Sequence, residues 1–132
     1  MRFVLDTNII IKYTKGNANV VRHIYNALAS NETLIVPRVV DFEMVRGFEK
    51  NPAPRRAQIY QELLDRCILA EMDSRIWKRA VQVYAGLSKK HFTQADADTF
   101  ISATCLEYGG VLVTNNTKDF IYVDGLELVD WS

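Results

Sequence analysis

The chain has 132 residues, of which 48% are hydrophobic and 24% are charged, and its 16 basic residues balance its 16 acidic ones. These proportions are typical of a globular protein with one core, and they exclude a disordered chain. The even charge gives no general support for a polyanionic partner, so any argument for nucleic-acid binding has to be local. No apolar run approaches the roughly 18 residues that a membrane-spanning helix needs, so we expect no membrane association.

The N-terminal segment MRFVLDTNIIIKY has a single arginine, a short apolar stretch and no cleavage site of small residues. It does not have the pattern of a secretion signal, and we expect the protein in the cytoplasm. Cys67 and Cys105 are far apart in sequence and each lies in an apolar context. This pattern predicts buried, reduced thiols rather than a disulfide or a zinc site.

The first half of the chain alternates short apolar runs with helical periodicity. In chain order it predicts a strand over 2–5, a helix after Asp6, a helix from about 20 that frays near 31, a strand over 33–36, and a helix that ends around 51. Pro37 suits the first turn of the last of these helices.

The second half continues this alternation. It predicts a helix over about 54–66, an apolar run over 67–70, a helix over about 74–87, a helix that begins at 96 or 98, and strands over 111–114 and near 126–129. The helix over 74–87 is expected to turn five side chains inward: Ile76, Trp77, Ala80, Val81 and Tyr84. Strands that alternate with helices predict an α/β fold in three layers, with a mostly parallel central sheet flanked by helices, and we expect residues 1–132 to form one domain.

Four acidic residues follow the predicted strand ends. Asp6 ends the first strand, Glu43 lies in the helix after the second, Asp98 opens the helix that leads into the strand over 111–114, and Asp119 lies beyond that strand. Because ligands of parallel sheets collect beyond the carboxyl ends of the strands, we expect these carboxylates to converge. Two carboxylates about 4 Å apart repel by about 4 kcal/mol at an effective dielectric of about 20, so the group needs a cation. Oxygen ligands without His or Cys favour Mg²⁺ or Mn²⁺, and such a site suits phosphodiester hydrolysis.

Each acid also has an interpretation that needs no metal. Asp6 can cap the following helix, and Asp119 can be an ordinary turn residue. Glu43 can form an ion pair with Arg38 or Arg46. Asp98 can be favoured by the helix dipole, and Asp96 competes with it as N-cap or as ligand. The shared placement of the acids, rather than any one of them, favours the metal site.

Four segments stand in a characteristic order: FVLDTNIIIKY around Asp6, VVDFEMVRG around Glu43, DTFISATCLEYGGVLVTNN from Asp98, and NTKDF around Asp119. Together they resemble the PIN-domain ribonucleases, and most closely the VapC toxins of bacterial toxin–antitoxin pairs. The resemblance implies an endoribonuclease dependent on Mg²⁺ or Mn²⁺, with Asp6, Glu43 and Asp98 as metal-binding catalytic acids. It implies that Asp119 is the fourth, less uniform catalytic acid.

Several neighbouring positions are also similar to the family pattern. Asn8 and Thr114 resemble polar positions beside the metals, and Asn116 stands where many PIN domains have an acid and the toxin branch commonly has Asn. Asp96 is an additional acid, and its spacing to ISATCLEYG favours Asp98 as the matching residue. The closing DWS resembles the enteric-type toxin branch, in which tRNA is the usual substrate, so tRNA is the expected RNA.

Basic residues near the acids are expected to attract the RNA backbone, although any single one can be ordinary solvated surface. The candidates are Lys12, Lys15, Arg46, Lys89, Lys90 and Lys118. The resemblance further implies a VapB-type antitoxin, whose C-terminal segment lies across the toxin groove and often sets an arginine against the acids. It implies a homodimer and a toxin–antitoxin hetero-oligomer, to whose contacts the apolar stretches 9–11 and 39–45 could contribute.

Three rival classes remain as alternatives. A non-catalytic, receiver-like signalling domain also gathers acids at strand ends, but it would need a lysine at the end of a later strand, where this chain has Thr114. A phosphatase of the haloacid dehalogenase type would need a second Asp two residues after the first, where Asn8 stands. A degenerate PIN domain that only binds a partner is disfavoured because all the matched acids are present.

Overall fold

Five short strands alternate with six helices in the computed structural model, which describes residues 1–132. The strands are β1 (Arg2–Leu5), β2 (Thr33–Pro37), β3 (Ile68–Ala70), β4 (Val111–Val113) and β5 (Glu127–Val129). The helices are α1 (Thr7–Thr14), α2 (Ala18–Ala29), α3 (Arg38–Lys50), α4 (Pro54–Leu64), α5 (Ser74–Lys89) and α6 (Asp96–Tyr108). None of these helices combines the length and the apolar character needed to cross a membrane.

The five strands form one sheet in the order β3-β2-β1-β4-β5, and every pairing is parallel. Its three central strands are buried on both faces, with Val4, Leu34 and Leu112 at most 1% exposed. Double-sided burial explains why these strands are nearly continuous apolar runs rather than alternating patterns. The expected α/β fold with a mostly parallel central sheet is confirmed.

β1 is the point in the sheet from which the chain continues in two directions. The next strand, β2, pairs along one edge of β1, and the later strand β4 pairs along its other edge. In parallel sheets a crevice opens at such a point, beyond the carboxyl ends of the two diverging strands. Asp6 follows β1 directly and Thr114 follows β4, and the backbone N–H of Asp6 donates to the carbonyl of Val113 at 3.0 Å. The crevice therefore opens where the acidic segments were expected to meet.

Pro37 lies one step earlier than the sequence suggested. It is the last residue of β2 and the N-cap of α3, with an extended backbone (φ −61°, ψ 143°), so the helix begins at Arg38. The fixed φ of proline suits both a strand and the first turn of a helix, and only the value of ψ separates the two.

The expected inward face of α5 is wrong for three of its five residues. Trp77, Val81 and Tyr84 are 57%, 59% and 63% exposed, whereas Ile76 and Ala80 are buried against α6. Both sets have helical spacing: four residues between Ile76 and Ala80, and four and then three between the exposed residues. Periodicity therefore identifies an apolar stripe but not which part of a wide stripe meets the neighbouring helix.

The cysteines are free, as expected. Cys105 is fully buried in the main core, and Cys67 is half-buried at its edge. Burial raises the pKa of each thiol to about 12, which keeps both protonated at neutral pH.

Candidate functional site

Asp6 is held in one orientation at the end of β1. Its Oδ1 accepts from the backbone N–H of Thr7 at 2.7 Å, and its Oδ2 accepts from Thr114 Oγ1 at 2.8 Å and from Asn8 Nδ2 at 3.0 Å. The residue is 4% exposed and serves as the N-cap of α1. Asp6 is thus a helix cap, and its carboxylate also has a fixed position in the crevice.

The loop after β4 is tied to the start of α1 through Thr114 and Asn8. Thr114 is fully buried, and its hydroxyl also accepts from the backbone N–H of Asn116 at 3.0 Å. Asn8 Oδ1 accepts from the backbone N–H of Asn115 at 3.2 Å. Asn116 contributes its backbone to this network while the residue itself is exposed. The two strand ends that flank the crevice are therefore joined by side-chain hydrogen bonds.

Glu43 faces α1 from the middle of α3. Its Oε1 accepts from Thr7 Oγ1 at 2.7 Å, and its Oε2 lies 3.5 Å from Arg46 Nη2. The Arg46 side chain is 60% exposed, so this ion pair is solvated and weak. Arg38, the other expected partner, pairs with Asp41 instead. Glu43 therefore keeps a position beside Asp6 that its ion pair alone does not explain.

Among the acids of the crevice, Asp98 has the most strongly raised pKa. It lies in the first turn of α6, and its pKa is raised to about 6 by burial first, and then by the negative charges of Asp6, Asp119 and Glu43. No hydrogen bond or cation offsets these effects. The pKa of Asp6 is also raised, by burial and to a smaller extent by Glu43, against the opposing hydrogen bonds that its carboxylate accepts. The negative charges of Asp6, Asp119 and Glu43 therefore all reach Asp98.

The oxygen atoms of these side chains are suitable ligands for a hard divalent cation. The group supplies carboxylate, amide and hydroxyl oxygens without His or Cys, which is the ligand chemistry that Mg²⁺ and Mn²⁺ prefer. The uncompensated repulsion on Asp98 is what a cation would remove. No group of three or more His, Cys, Asp or Glu side chains is already close enough to hold one ion. Loading the site would therefore draw carboxylates inward from the positions described here.

Asp119 and Asp96 differ in their relation to Asp98. Asp119 ends a single turn of 3-10 helix (Thr117–Asp119) and borders a small cavity together with Asp98. Asp96 is exposed and borders a different hollow, with Trp77 and Phe100. The charge of Asp96 is not among those that raise the pKa of Asp98. The structure thus joins Asp119 to the acid cluster and leaves Asp96 outside it.

The six candidate RNA-binding cations have different surroundings. Lys15 borders a groove that reaches Glu43, and Arg46 pairs with Glu43 directly. Lys90 is engaged elsewhere: its ammonium contacts Asp124 Oδ1 at 2.5 Å and the carbonyl of Tyr122 at 2.7 Å. The remaining three are the half-buried Lys12 and the exposed Lys89 and Lys118. Lys15 and Arg46 are therefore the candidates with a direct structural link to the acids.

The sequence model of the PIN domain family matches residues 3–126, which is most of the chain. This chain belongs to the PIN-domain family. Over 133 aligned residues it is 29% identical to the tRNA(fMet)-specific endonuclease VapC of Shigella flexneri, covering 100% of this chain and 99% of that relative. The PIN-domain resemblance seen in the sequence is confirmed.

Solved structures of the same family have the same fold. The chain matches DNA-bound VapBC from Salmonella typhimurium with a TM-score of 0.88 and 26% identity, covering 100% of this chain and 99% of that one. It matches VapBC2 from Rickettsia felis, bound to a promoter DNA fragment, with a TM-score of 0.88 and 23% identity, covering 100% of both chains. These similarities confirm the VapC-type PIN fold from the first strand to the last.

Gln94 lies beside the acids of this PIN domain, although no sequence motif pointed to it. Gln94 is 7% exposed, and its Nε2 donates to the carbonyl of Asp119 at 2.9 Å while its Oε1 accepts from Thr99 Oγ1 at 3.0 Å. The hydroxyl of Ser102 donates to the carbonyl of Asp98 at 2.8 Å. Gln94 therefore connects the turn that carries Asp119 to the helix that carries Asp98. The available sequence signal was a pair of hydroxyl residues, Thr99 and Ser102, at helical spacing on a buried face.

Proposed function

We propose that this PIN-domain chain, as the single domain 1–132, is an endoribonuclease toxin that hydrolyses phosphodiester bonds with the help of Mg²⁺ or Mn²⁺. The observation that carries the proposal is the Asp98 carboxylate, which is half-buried, accepts no hydrogen bond and is repelled by three other acids at the crevice of the sheet. Such a group is expensive to keep ionised without a cation. The family match and the VapC relatives support the same reaction class.

Asp6, Glu43 and Asp98 would hold the cation, with Asp119 as a fourth acid beside them. When bound, Mg²⁺ or Mn²⁺ lowers the pKa of an attacking water and neutralises charge that develops on the phosphoryl group. The acids themselves would be ionised in that state, because a bound cation favours their charged form. The protein's contribution would be to place these carboxylates around one crevice, from which a cation could draw them together.

The neighbouring polar residues fix the acids. Thr114 and Asn8 hold the Asp6 carboxylate through the same oxygen, and Thr7 holds Glu43. Partners of this kind keep ligands in place, and their removal commonly costs about 10- to 100-fold in metal affinity or activity. We therefore assign Thr114, Asn8 and Thr7 to positioning rather than to the reaction itself.

We propose tRNA as the substrate. The support is the name of the Shigella flexneri relative and that of the Salmonella typhimurium relative, both tRNA(fMet)-specific endonucleases. The cytoplasm, where tRNA resides, is then the compartment of action. We propose three cations as contacts to the phosphate backbone: Lys15, Arg46 and Lys118. Each lies near an acid of the site, and a cation attracts the negatively charged phosphates of RNA.

We propose a VapB-type antitoxin as the regulatory partner and a homodimer as the toxin's own assembly. The antitoxin is supported by the similarity to VapBC structures from Salmonella typhimurium and Rickettsia felis. The homodimer rests on the sequence resemblance to the VapC toxins alone. An arginine from the antitoxin could satisfy the clustered carboxylates bidentately and occupy the space of the cation. The negative charges around Asp98 give such an arginine a physical reason to bind there.

The test is cleavage of unfractionated tRNA by the purified chain with Mg²⁺, with Mn²⁺ and with EDTA. We expect cleavage only with a divalent cation, and a loss of about 100-fold or more in Asp98→Asn. Asp96→Asn is the matched control, because it removes an acid two residues away that lies outside the cluster. Full cleavage in EDTA, or equal losses in the two variants, would contradict the proposed metal site.

A further inference from the structure

A groove between α1, α3 and α4 opens beside Glu43, and no residue of α6 lines it. Its cavity of about 220 Å³ is larger than a phosphate group, and its polar walls include Lys15, Asn51 and Arg56. Glu43 borders it as well, but both oxygens of that carboxylate already accept from Thr7 and Arg46. The groove therefore presents positive charge next to the acid cluster.

The Arg56 guanidinium is held by neutral groups. Its Nε and Nη2 both donate to Thr14 Oγ1, at 3.2 and 3.0 Å, and its Cζ lies 5.7 Å from the centre of the Phe48 ring. Thr14 is only 4% exposed, and its hydroxyl donates onward to the carbonyl of Ile11 at 2.9 Å. The guanidinium is thus fixed in place before any ligand binds.

Arg56 is half-buried and forms no ion pair, whereas Arg38, Arg46 and Arg79 each pair with a carboxylate. The N–H groups that do not face Thr14 remain available, and a planar guanidinium offers them in a fork that matches two oxygens of a phosphate. A fixed, unpaired cation in a groove has little ordering entropy left to lose when an anion binds.

We propose that Arg56 and Lys15 form a subsite for a backbone phosphate of the RNA strand, distinct from the phosphate that is cleaved. The inference rests on the proposed ribonuclease function and deepens it, because it assigns the path of the substrate on the Glu43 side of the crevice. Arg56 supplies the oriented contact, Lys15 at the end of α1 supplies a flexible second charge, and Asn51 lines the groove between α3 and α4.

The competing explanation is purely structural. Arg56 joins the first turn of α4 to the end of α1, so its loss could lower stability without any effect on RNA. The two explanations differ in salt dependence, since only a phosphate contact changes the number of counterions released on binding.

The experiment measures the affinity of the Asp98→Asn protein for unfractionated tRNA over a range of KCl concentrations. In this inactive background we expect Arg56→Gln to weaken binding by about 10-fold near 0.1 M salt and to reduce the salt slope by about one. Arg55→Gln is the matched control: it removes the same charge from the neighbouring exposed position and should leave the slope unaltered. Equal effects of the two substitutions, or no change of slope in Arg56→Gln, would overturn the subsite.

Two further variants protect the test against a folding defect. Lys15→Gln leaves the Arg56–Thr14 contact intact and should also reduce the slope, while Arg56→Lys keeps the charge and should bind more tightly than Arg56→Gln. Unaltered slopes in Lys15→Gln, at an unaltered melting temperature, would overturn the subsite even if Arg56→Gln did not fold. Cleavage by the unsubstituted chain is measured separately. If metal-dependent cleavage occurs but Arg56→Gln does not change the salt slope of binding, only the subsite is rejected. If cleavage is absent but Arg56→Gln does change the slope, only the nuclease proposal is rejected.

Discussion

The hydroxyl of Thr7 donates a hydrogen bond of 2.7 Å to Glu43 Oε1, which joins the first residue of α1 to the middle of α3. The backbone N–H of the same threonine donates to Asp6 Oδ1, also at 2.7 Å. One residue therefore holds two acids of the proposed metal site, one through its backbone and one through its side chain.

Replacing Thr7 with valine should separate these two roles. The hydrogen bond from the backbone N–H to Asp6 persists, whereas Glu43 loses the hydrogen bond from the Thr7 hydroxyl. The Glu43 side chain can then turn toward solvent with the exposed Arg46 side chain. We expect the Mg²⁺ concentration for half-maximal cleavage to rise by about 10-fold or more. Thr104→Val is the control, because it removes a buried hydroxyl that bonds only to the carbonyl of Phe100. Identical metal titrations of Thr7→Val and the unsubstituted protein would remove Thr7 from the site.

Asp98 predicts an unusual dependence of stability on pH in the metal-free protein. Its pKa in the folded state is raised to about 6 from the ordinary value of 3.8, so the folded state binds the proton more tightly than the unfolded state does. Stability in EDTA should therefore be highest below pH 4 as far as this group is concerned, and should fall as the pH rises toward 6.

Thermal unfolding in EDTA between pH 4 and pH 7 measures this effect. Asp98→Asn should flatten the fall, and part of it should remain because the pKa of Asp6 is raised as well. Mg²⁺ at pH 7 should restore stability to the unsubstituted protein more than to Asp98→Asn, since a ligand that binds only the folded state stabilises it. An unchanged pH profile in Asp98→Asn would place that carboxylate outside the repelling cluster.

Gln94→Ala should lower both stability and cleavage, although Gln94 is not one of the acids. It removes the donor to the carbonyl of Asp119 and leaves the Thr99 hydroxyl only its longer bond to the carbonyl of Ala95, at 3.3 Å. A buried polar group left unsatisfied costs about 1–3 kcal/mol. We expect a lower free energy of unfolding together with slower cleavage, because the turn that carries Asp119 is no longer tied to α6. Gln82→Ala on the exposed side of α5 provides the comparison. A loss of stability with undiminished cleavage would limit Gln94 to a structural role.

Lys90 and Lys118 should differ in RNA binding although both lie near acids in sequence. The ammonium of Lys90 already contacts Asp124, whereas Lys118 is exposed in the turn beside Asp119. Lys118→Ala is expected to weaken tRNA binding and to reduce the salt slope by about one, while Lys90→Ala leaves the slope nearly constant. Titrations of the two variants in the Asp98→Asn background test this difference, and the reverse order would contradict it.

Much of the fold could be predicted because the buried parallel strands have short, apolar sequences that are easy to recognise. The strand over 2–5 has the same bounds in the structure, and Asp6 and Thr114 lie at one edge of the sheet because parallel strands point their carboxyl ends the same way. The exposed face of α5 could not be predicted, since its apolar stripe is wider than its contact with α6. Trp77 and Ile76 are neighbours in sequence, and only packing decides which of them is buried.

The contacts that escaped prediction join residues that are distant in sequence. Gln94 bonds to the backbone of Asp119, 25 residues away, and Arg56 bonds to a hydroxyl 42 residues away. Neither contact leaves a periodic pattern, because a loop amide and a lone arginine look like ordinary surface residues until the chain is folded. Asp6 and Asp98 were accessible to prediction because their places relative to the strands, rather than any single partner, define them.

The bond from Thr114 to Asp6 spans 108 residues. β1 acquires its neighbour on that side only after β4 has been translated, because the two strands are distant in the chain. A nascent chain therefore lacks the assembled crevice while the residues between Asp6 and β4 are being synthesised. For a protein proposed to cleave a component of the translation machinery, this topology delays activity until both sides of the crevice have left the ribosome.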